Sequence, residues 1–396
     1  MALVHMGDLL RHAYDNGYAV GAFDVVGLEF VTGIIAAAED KQAPVIINVA
    51  EPGVARFDFE LLMAAVERAA ERTPVPVAIA LSPCASLASA IRGINLGCTG
   101  VMVDPSRRPL TEVIAHTREI ADTAHACGLP VEGRLGDTPG AQRGDAAQHP
   151  ARPPLDTTAA EARSFVDATG VDFLSISVAT LRDRTSGGTA LGFDRLAELN
   201  RALGIPLAVH DATGLSDAEV RHLIGNGVAR IDDHGALGEA AGRHIRANAV
   251  AAANDGYMDL VSGTAEAVRT AAIRRINLWG GAGRAEAVRA QCRPSRTVEH
   301  VIFYNMDGLD APGVADLMRD GRRILSAIPG VRRVFTGHAV HDDVNYRHCW
   351  LVRFAGTDVI DNYRDHPAHR RFADERYRPF AGRRISVDFE DSEPST

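Results

Sequence analysis

A parallel (β/α)8 barrel followed by a smaller ferredoxin-like α+β unit is the architecture this sequence predicts, and three observations predict it. Over roughly the first 250 residues, apolar runs of five to seven residues alternate with helical patterns about a dozen long. Eight such strand-helix pairs suit a closed barrel better than an open sheet. Past a Cys-Arg-Pro-Ser segment at 292–295 the pattern becomes strand, helix, two strands, helices and strand, a βαββαβ order. The length of 396 residues agrees, since a single ordinary core does not extend that far.

Taken in order, the strands are expected at 18–25, 45–49, 75–81, 100–104, 130–135, 172–178, 206–210 and 229–233, short runs rich in apolar residues as buried parallel strands require. Helices are expected between them at 29–38, 59–72, 87–96, 111–127, 159–169, 193–203 and 217–226, and after the last strand at 237–253, from their spacing of apolar positions. Two polar stretches, 136–157 and 182–189, read as long loops. A helix pair at 265–278 and 284–290 leads to the second unit. Its strands are expected at 300–306, 331–339, 348–354 and 384–389, and its helices at 313–327, 358–363 and 367–379. The expected division is therefore 1–291, 296–390 and a tail at 391–396.

Composition narrows the chemistry. A net charge of -9 without a basic cluster argues against nucleic acid as a partner. No apolar run reaches the roughly 18 residues that span a bilayer, and the first residues lack the pattern of a signal peptide, so the cytoplasm is the expected location and no membrane partner is expected. The five cysteines, Cys84, Cys98, Cys127, Cys292 and Cys349, are scattered without metal-type spacing and read as reduced thiols. Lys41 is the single lysine. It ends the first barrel helix, on the face opposite the strand ends where barrel chemistry sits, so an imine mechanism is not expected.

The third strand ends in Ser82, Pro83 and Cys84, a poor set for acid, base or metal work. That end becomes informative through a resemblance. The motifs YAVGAFDVVGLEF at 18–30, APVIINVAE at 43–51, GVMVDPS at 100–106, GLPVEGRLG at 128–136, LGFDRL at 191–196 and PLAVHDATG followed by VARIDDH resemble the class II, zinc-dependent fructose-bisphosphate and tagatose-bisphosphate aldolases across about 280 residues. The resemblance implies a metal held by three histidines and an aspartate that serves as acid and base in forming an enediolate. Residue by residue the sequence departs from this. Where the family has His-Leu-Asp-His-Gly, this chain has Ala80, Leu81, Ser82, Pro83 and Cys84. The glutamate ending strand five is replaced by Arg134, and the Val-His-Gly motif after strand six by Leu181, Arg182 and Asp183. His210 alone of the three ligands persists, in His-Asp-Ala-Thr-Gly. One histidine does not make a zinc site, so neither metal nor other cofactor is expected. Asp183 and Asp211 stand where the family uses glycine amides for phosphate, and Asp232, Asp233 and His234 replace its second phosphate turn. These carboxylates disfavour a phosphorylated sugar.

The expected catalytic set is therefore His210, Arg134, Arg182, Asp211, Asp232 and His234, with Asp24, Glu51, Asp104 and Ser82 contacting substrate. His210 is the candidate general base, and the arginines are candidates to stabilise an enolate or hold a carboxylate. Plainer readings stand beside these. His210 is then a relic of a lost metal site, and the arginines are neutralised by Asp183, Asp211 or Asp232. Asp233 and His234 form a candidate dyad, although neighbours on a strand point to opposite faces. Cys84 is a nucleophile or, more simply, a buried thiol.

The second unit carries EHVIFYNM at 299–306, IPGVRRV at 328–334 and NYRDHPAHRRF at 362–372, and with these it resembles the stress-responsive dimeric α+β barrel (Dabb) family. That resemblance implies a homodimer, or a higher homo-oligomer, paired through its sheets. In a plant polyketide cyclase of this kind, a Tyr and a His of the Tyr-x-x-His-Pro-x-His motif close a ring by aldol chemistry, and Tyr363 and His369 match them. His300, His366 and His369 have a plainer reading as polar core residues. Three functions follow for a small-molecule substrate: a metal-independent aldolase-like lyase or enolisation enzyme at the barrel mouth, an aldol-type cyclase using Tyr363 and His369, or a barrel without catalysis kept for scaffolding and binding.

Overall fold

The structure, a computed structural model, describes residues 3–50, 58–104, 109–135, 158–176, 192–210, 212, 214–233, 235–251 and 256–390. The expected loops at 136–157 and 182–189 lie outside these residues. So do Glu51, Arg182, Asp183, Asp211 and His234 among the expected site residues, together with the side chain of Asp233.

Eight parallel strands form a closed barrel: β1 (Val20–Asp24), β2 (Val45–Val49), β3 (Val77–Cys84), β4 (Gly100–Val103), β5 (Val131–Arg134), β6 (Phe173–Ile176), β7 (Leu207–His210) and β8 (Val228–Asp233). The ring closes where Val20 to Phe23 pair with Arg230 to Asp233. The strands are short and buried on both sides because helices cover them outside and side chains fill them inside. Several strands lead into helices whose start is written in the sequence. Asp58 caps the helix Phe59–Arg72 through the amides of Glu60 and Leu61, and Thr158 with Glu161 and Ser216 with Glu219 form reciprocal capping boxes. β3 runs three residues further than its apolar run, so Ser82 and Cys84 lie within the strand.

Helix α1 (Met6–Asp15) was not expected from the alternation, which begins only at the first strand. Met6, Leu9, Leu10 and Ala13 are buried against Val20, Ala22, Ile46, Ala78 and Ala80 from the barrel interior, so α1 plugs its N-terminal end. At Gly100 a Cβ would overlap the Met6 thioether, which is why this closure requires glycine there. With an apolar plug below, polar side chains are confined to the upper layers of the barrel.

The second unit runs β9 (Val298–Met306), helix Ala311–Leu325, β10 (Val331–His338), β11 (His348–Phe354), helices Val359–Asp365 and Pro367–Phe372, a wide π turn over Ala373–Tyr377, and β12 (Ala381–Glu390). Its antiparallel sheet has the order β10-β11-β9-β12. Trp350, Val352 and Phe354 point to the helices and are buried, while the other face carries exposed Phe303, Phe335, Ile385, Val387 and Phe389. The unit docks on the end of the barrel away from the strand carboxyl ends. Asn95, closing the helix Leu87–Asn95, donates to the carbonyls of Ser326 and Ile328 (both 3.1 Å) and accepts from the amide of Gly330 (2.8 Å). Arg332 meets Glu67 beside it.

Candidate active site in the barrel

The second turn of the strand pleat below the mouth is where charge collects. Residues two apart on a strand share a face, so Glu132 and Arg134 on β5 both point inward, as do Arg230 and Asp232 on β8. Arg230 is wholly buried. Its Nε donates to Asp232 Oδ1 (2.7 Å), its Nη1 to Glu132 Oε2 (2.7 Å), and its Nη2 to Asp232 Oδ2 (2.9 Å) and Asn48 Oδ1 (3.0 Å). His210 closes the ring from β7. Its Nε2 lies 2.6 Å from the other oxygen of Glu132, and its Nδ1 lies 2.9 Å from Asp232 Oδ2. Asn48 uses its amide hydrogens on Asp232 Oδ2 (3.1 Å) and Asp24 Oδ1 (3.0 Å), linking the ring to the mouth.

Two carboxylates facing two ring nitrogens require both nitrogens to carry hydrogen, so His210 is an imidazolium. Burial alone would push its pKa down. The charges of Asp232 and Glu132 and the hydrogen bonds to them outweigh this and raise it to about 9. Asp232 is likewise held far below the usual carboxylate range, because Arg230 and His210 overcome the effect of its burial. The result is two cations and two anions in a dry interior, each hydrogen-bonded on several sides, the condition under which buried charge is tolerated. Such a His210 is not poised to take a proton. It supplies fixed positive charge and a proton that leaves only when one of its carboxylate contacts is given up.

Above the ring, Arg134 Nη1 donates to Asp104 Oδ2 (2.7 Å), with the two side chains about one-tenth exposed at 10% and 9%. Ser82 lies 3.5 Å from Arg230 Nη2, at the limit of a hydrogen bond. The structure thus brings His210, Asp232, Ser82 and Asp24 into one network with Arg134 and Asp104 beside it. Among the described residues Arg134 pairs with Asp104; Asp183 and Asp211, which its plainer reading names, lie outside them. Arg230, Glu132 and Asn48 were not singled out from the sequence. The signal was there in the period-two spacing of Glu132 with Arg134 and of Arg230 with Asp232, but attention to strand ends passed over the layer beneath them.

The divalent ion held by class II aldolases does not fit these donors. Pro83, at the position of one ligand, offers no donor, and the neighbouring Cys84 is buried with its thiol directed to the Ser86 carbonyl (3.3 Å). His210 has both nitrogens engaged, and a cation here would face the Arg230 guanidinium. Among the described residues no group of three or more His, Cys, Asp or Glu is gathered as a metal site. The single lysine, Lys41, ends helix α2 (Leu28–Lys41) at the opposite end of the barrel from His210.

In the second unit, Tyr363 and His369 stand with ring centroids 4.4 Å apart and line a cavity of about 240 Å3 with His300, Trp350, Tyr377 and Arg384. His369 Nδ1 meets the Arg364 carbonyl at 3.0 Å, leaving Nε2 as its acceptor. Burial lowers the His369 pKa and raises that of Tyr363, so both are neutral. His300 is paired with Asp388 (2.6 Å). His366 caps the helix that begins at Pro367 by accepting from the Ala368 amide, a structural role.

Comparison with known proteins places this geometry. The family profile "Fructose-bisphosphate aldolase class-II" matches residues 4–284, and "Stress responsive A/B Barrel Domain" matches 298–391. A protein of Bacillus subtilis (strain 168) described as a probable fructose-bisphosphate aldolase is 35% identical over 236 residues, 59% of this chain and 81% of its own. The sulfofructosephosphate aldolase of Alkalicoccus urumqiensis is 32% identical over 232 residues, 59% of this chain and 80% of its own. Among solved structures, the YdjI aldolase from Escherichia coli K12 superimposes with a TM-score of 0.61 at 27% identity, covering 72% of this chain and 99% of that one. With its barrel matched nearly end to end and an α+β sheet unit attached, this chain belongs to the class II fructose-bisphosphate aldolase family and carries a C-terminal Dabb domain.

Proposed function

We propose that this protein is an aldolase-type carbon-carbon lyase or enolisation enzyme that works without a metal, acting in the cytoplasm on a small polar metabolite at the mouth of the barrel. The observation that carries the reading is the ring of His210, Glu132, Arg230 and Asp232. Family members neutralise a developing enolate with a divalent ion, whereas here fixed guanidinium and imidazolium charge stands in the layer just beneath the strand ends. Arg134 spends one donor on Asp104, and its remaining N–H groups suit an enolate oxygen or a substrate carboxylate. Asp24, tied to the ring through Asn48, is placed to meet hydroxyl or amine groups of a substrate. Arg182, Asp211, Glu51 and His234, which lie outside the described residues, complete the proposed set.

The test is a split between the two units. With a panel of hydroxylated keto acids and ketoses, assayed for cleavage and for solvent deuterium exchange, His210→Gln is expected to lose activity by about 10²-fold or more, with Tyr363→Phe staying within about twofold. Dialysis against chelator is expected to leave turnover unchanged. Activity that vanishes with the chelator and returns with zinc overturns the metal-free reading.

The C-terminal cavity supports a second reading, an aldol-type cyclase with Tyr363 as proton donor and His369 as base. Their adjacency inside an aromatic cavity favours it, and the opposite mutational pattern identifies it. In either case the exposed apolar face of the sheet suits pairing with a second copy as a homodimer.

A further inference from the structure

We propose that His338 and His348 form a two-imidazole binding site for a divalent transition-metal ion at the end of the C-terminal sheet, remote from the barrel mouth. The two residues are direct cross-strand partners on β10 and β11. Their rings stand nearly perpendicular, at 79°, with centroids 5.0 Å apart and the two Nδ1 atoms facing one another at 3.1 Å. Facing nitrogens can share only one hydrogen, so in the ion-free protein the Nδ1–H of one ring donates to the Nδ1 lone pair of the other. An ion between them uses both lone pairs. At a metal–nitrogen distance of roughly 2.0–2.1 Å, the 3.1 Å separation corresponds to an N–metal–N angle of roughly 95–100°, between octahedral and tetrahedral values.

The site is preorganised. The hairpin beyond the pair is closed by the Ala339 amide donating to the Arg347 carbonyl (2.8 Å), which fixes the register that opposes the rings. His348 is further held against Tyr304, 5.4 Å between centroids. His338 is exposed, so solvent completes the coordination. No third His, Cys, Asp or Glu among the described residues joins the pair, and Asp342 in the turn is paired with Arg347 (2.6 Å). Both histidines lie on the helix-facing side of the sheet, opposite to the apolar face, so sheet pairing leaves them open. Imidazole ligands favour zinc, nickel and copper over calcium or magnesium.

The experiment is titration of the full-length protein with zinc by calorimetry, and with copper(II) followed by electron paramagnetic resonance, at pH 7.5. Wild type is expected to take one ion per chain, with two nitrogen couplings in the copper spectrum. His338→Ala and His348→Gln are each expected to weaken binding by about tenfold or more and to remove one coupling. His338 is exposed, so its substitution leaves the fold intact even where His348→Gln does not. His210→Gln is expected to bind as wild type does, which separates this site from the barrel. Absence of saturable binding in wild type, or binding that survives both substitutions, overturns the proposal.

Discussion

His210 illustrates how one residue changes meaning with its neighbours. In the sequence it is a histidine at a strand end, able to titrate near neutrality. In the structure its pKa stands near 9, because Glu132 and Asp232 hold both nitrogens. The sign of the consequence for stability follows. A pKa raised above the ordinary 6.5 contributes stability that is fully present below about pH 6.5 and is lost as pH rises through about 9. The full difference is about 3 kcal/mol at 1.4 kcal/mol per unit. Urea unfolding of wild type is therefore expected to show a loss between pH 7 and 10 that exceeds that of His210→Gln by about this amount. Equal pH dependence in the two proteins contradicts the imidazolium assignment. Asp232, lowered, contributes in the opposite direction, present above its ordinary value of 3.8 and lost as pH falls below it.

At the scale of elements, the barrel is held by close approaches that only small residues permit. Helix α2 lies against the late helix Thr264–Leu278, and Gly33 is the point of contact: a Cβ there would come to 2.6 Å from the Ala265 carbonyl oxygen and 2.8 Å from the Val268 side chain. Gly33→Ala gains up to about 1 kcal/mol of helix propensity but forces the helices apart at a cost of about 1–3 kcal/mol, so net destabilisation is expected in chemical unfolding. The same scale explains what was and was not legible beforehand. Helices 59–72, 159–169 and 193–203 and strands 45–49 and 348–354 coincide with their expected limits because caps, glycines or sharp changes of periodicity mark both ends. Helix α1 escaped notice because its role, closing the barrel floor, is a long-range one that no local pattern announces.

At the scale of the molecule, the Dabb unit sits under the barrel with Asn95 and Arg332 at the join, so the barrel mouth and the Tyr363 cavity open at separate ends. The outer face of the C-terminal sheet leaves Phe303 45%, Ile385 48% and Phe389 56% exposed, an apolar face of the kind that marks interaction surfaces. Sedimentation of wild type is expected to give a dimer, and Phe303→Asp with Val387→Asp a monomer that keeps the activity of the barrel. A dimer that persists in the double variant refutes pairing through this sheet.

The sequence by itself determined the barrel, the βαββαβ unit and the family, because periodicity, capping and motif residues are local properties. Tertiary structure decided which charges meet. Arg230 and Glu132 are far apart in the chain, and only closure of the barrel brings them to 2.7 Å. That closure turns His210 from a candidate base into a fixed cation, since its pKa depends on which carboxylates the ring of strands places on either side of it.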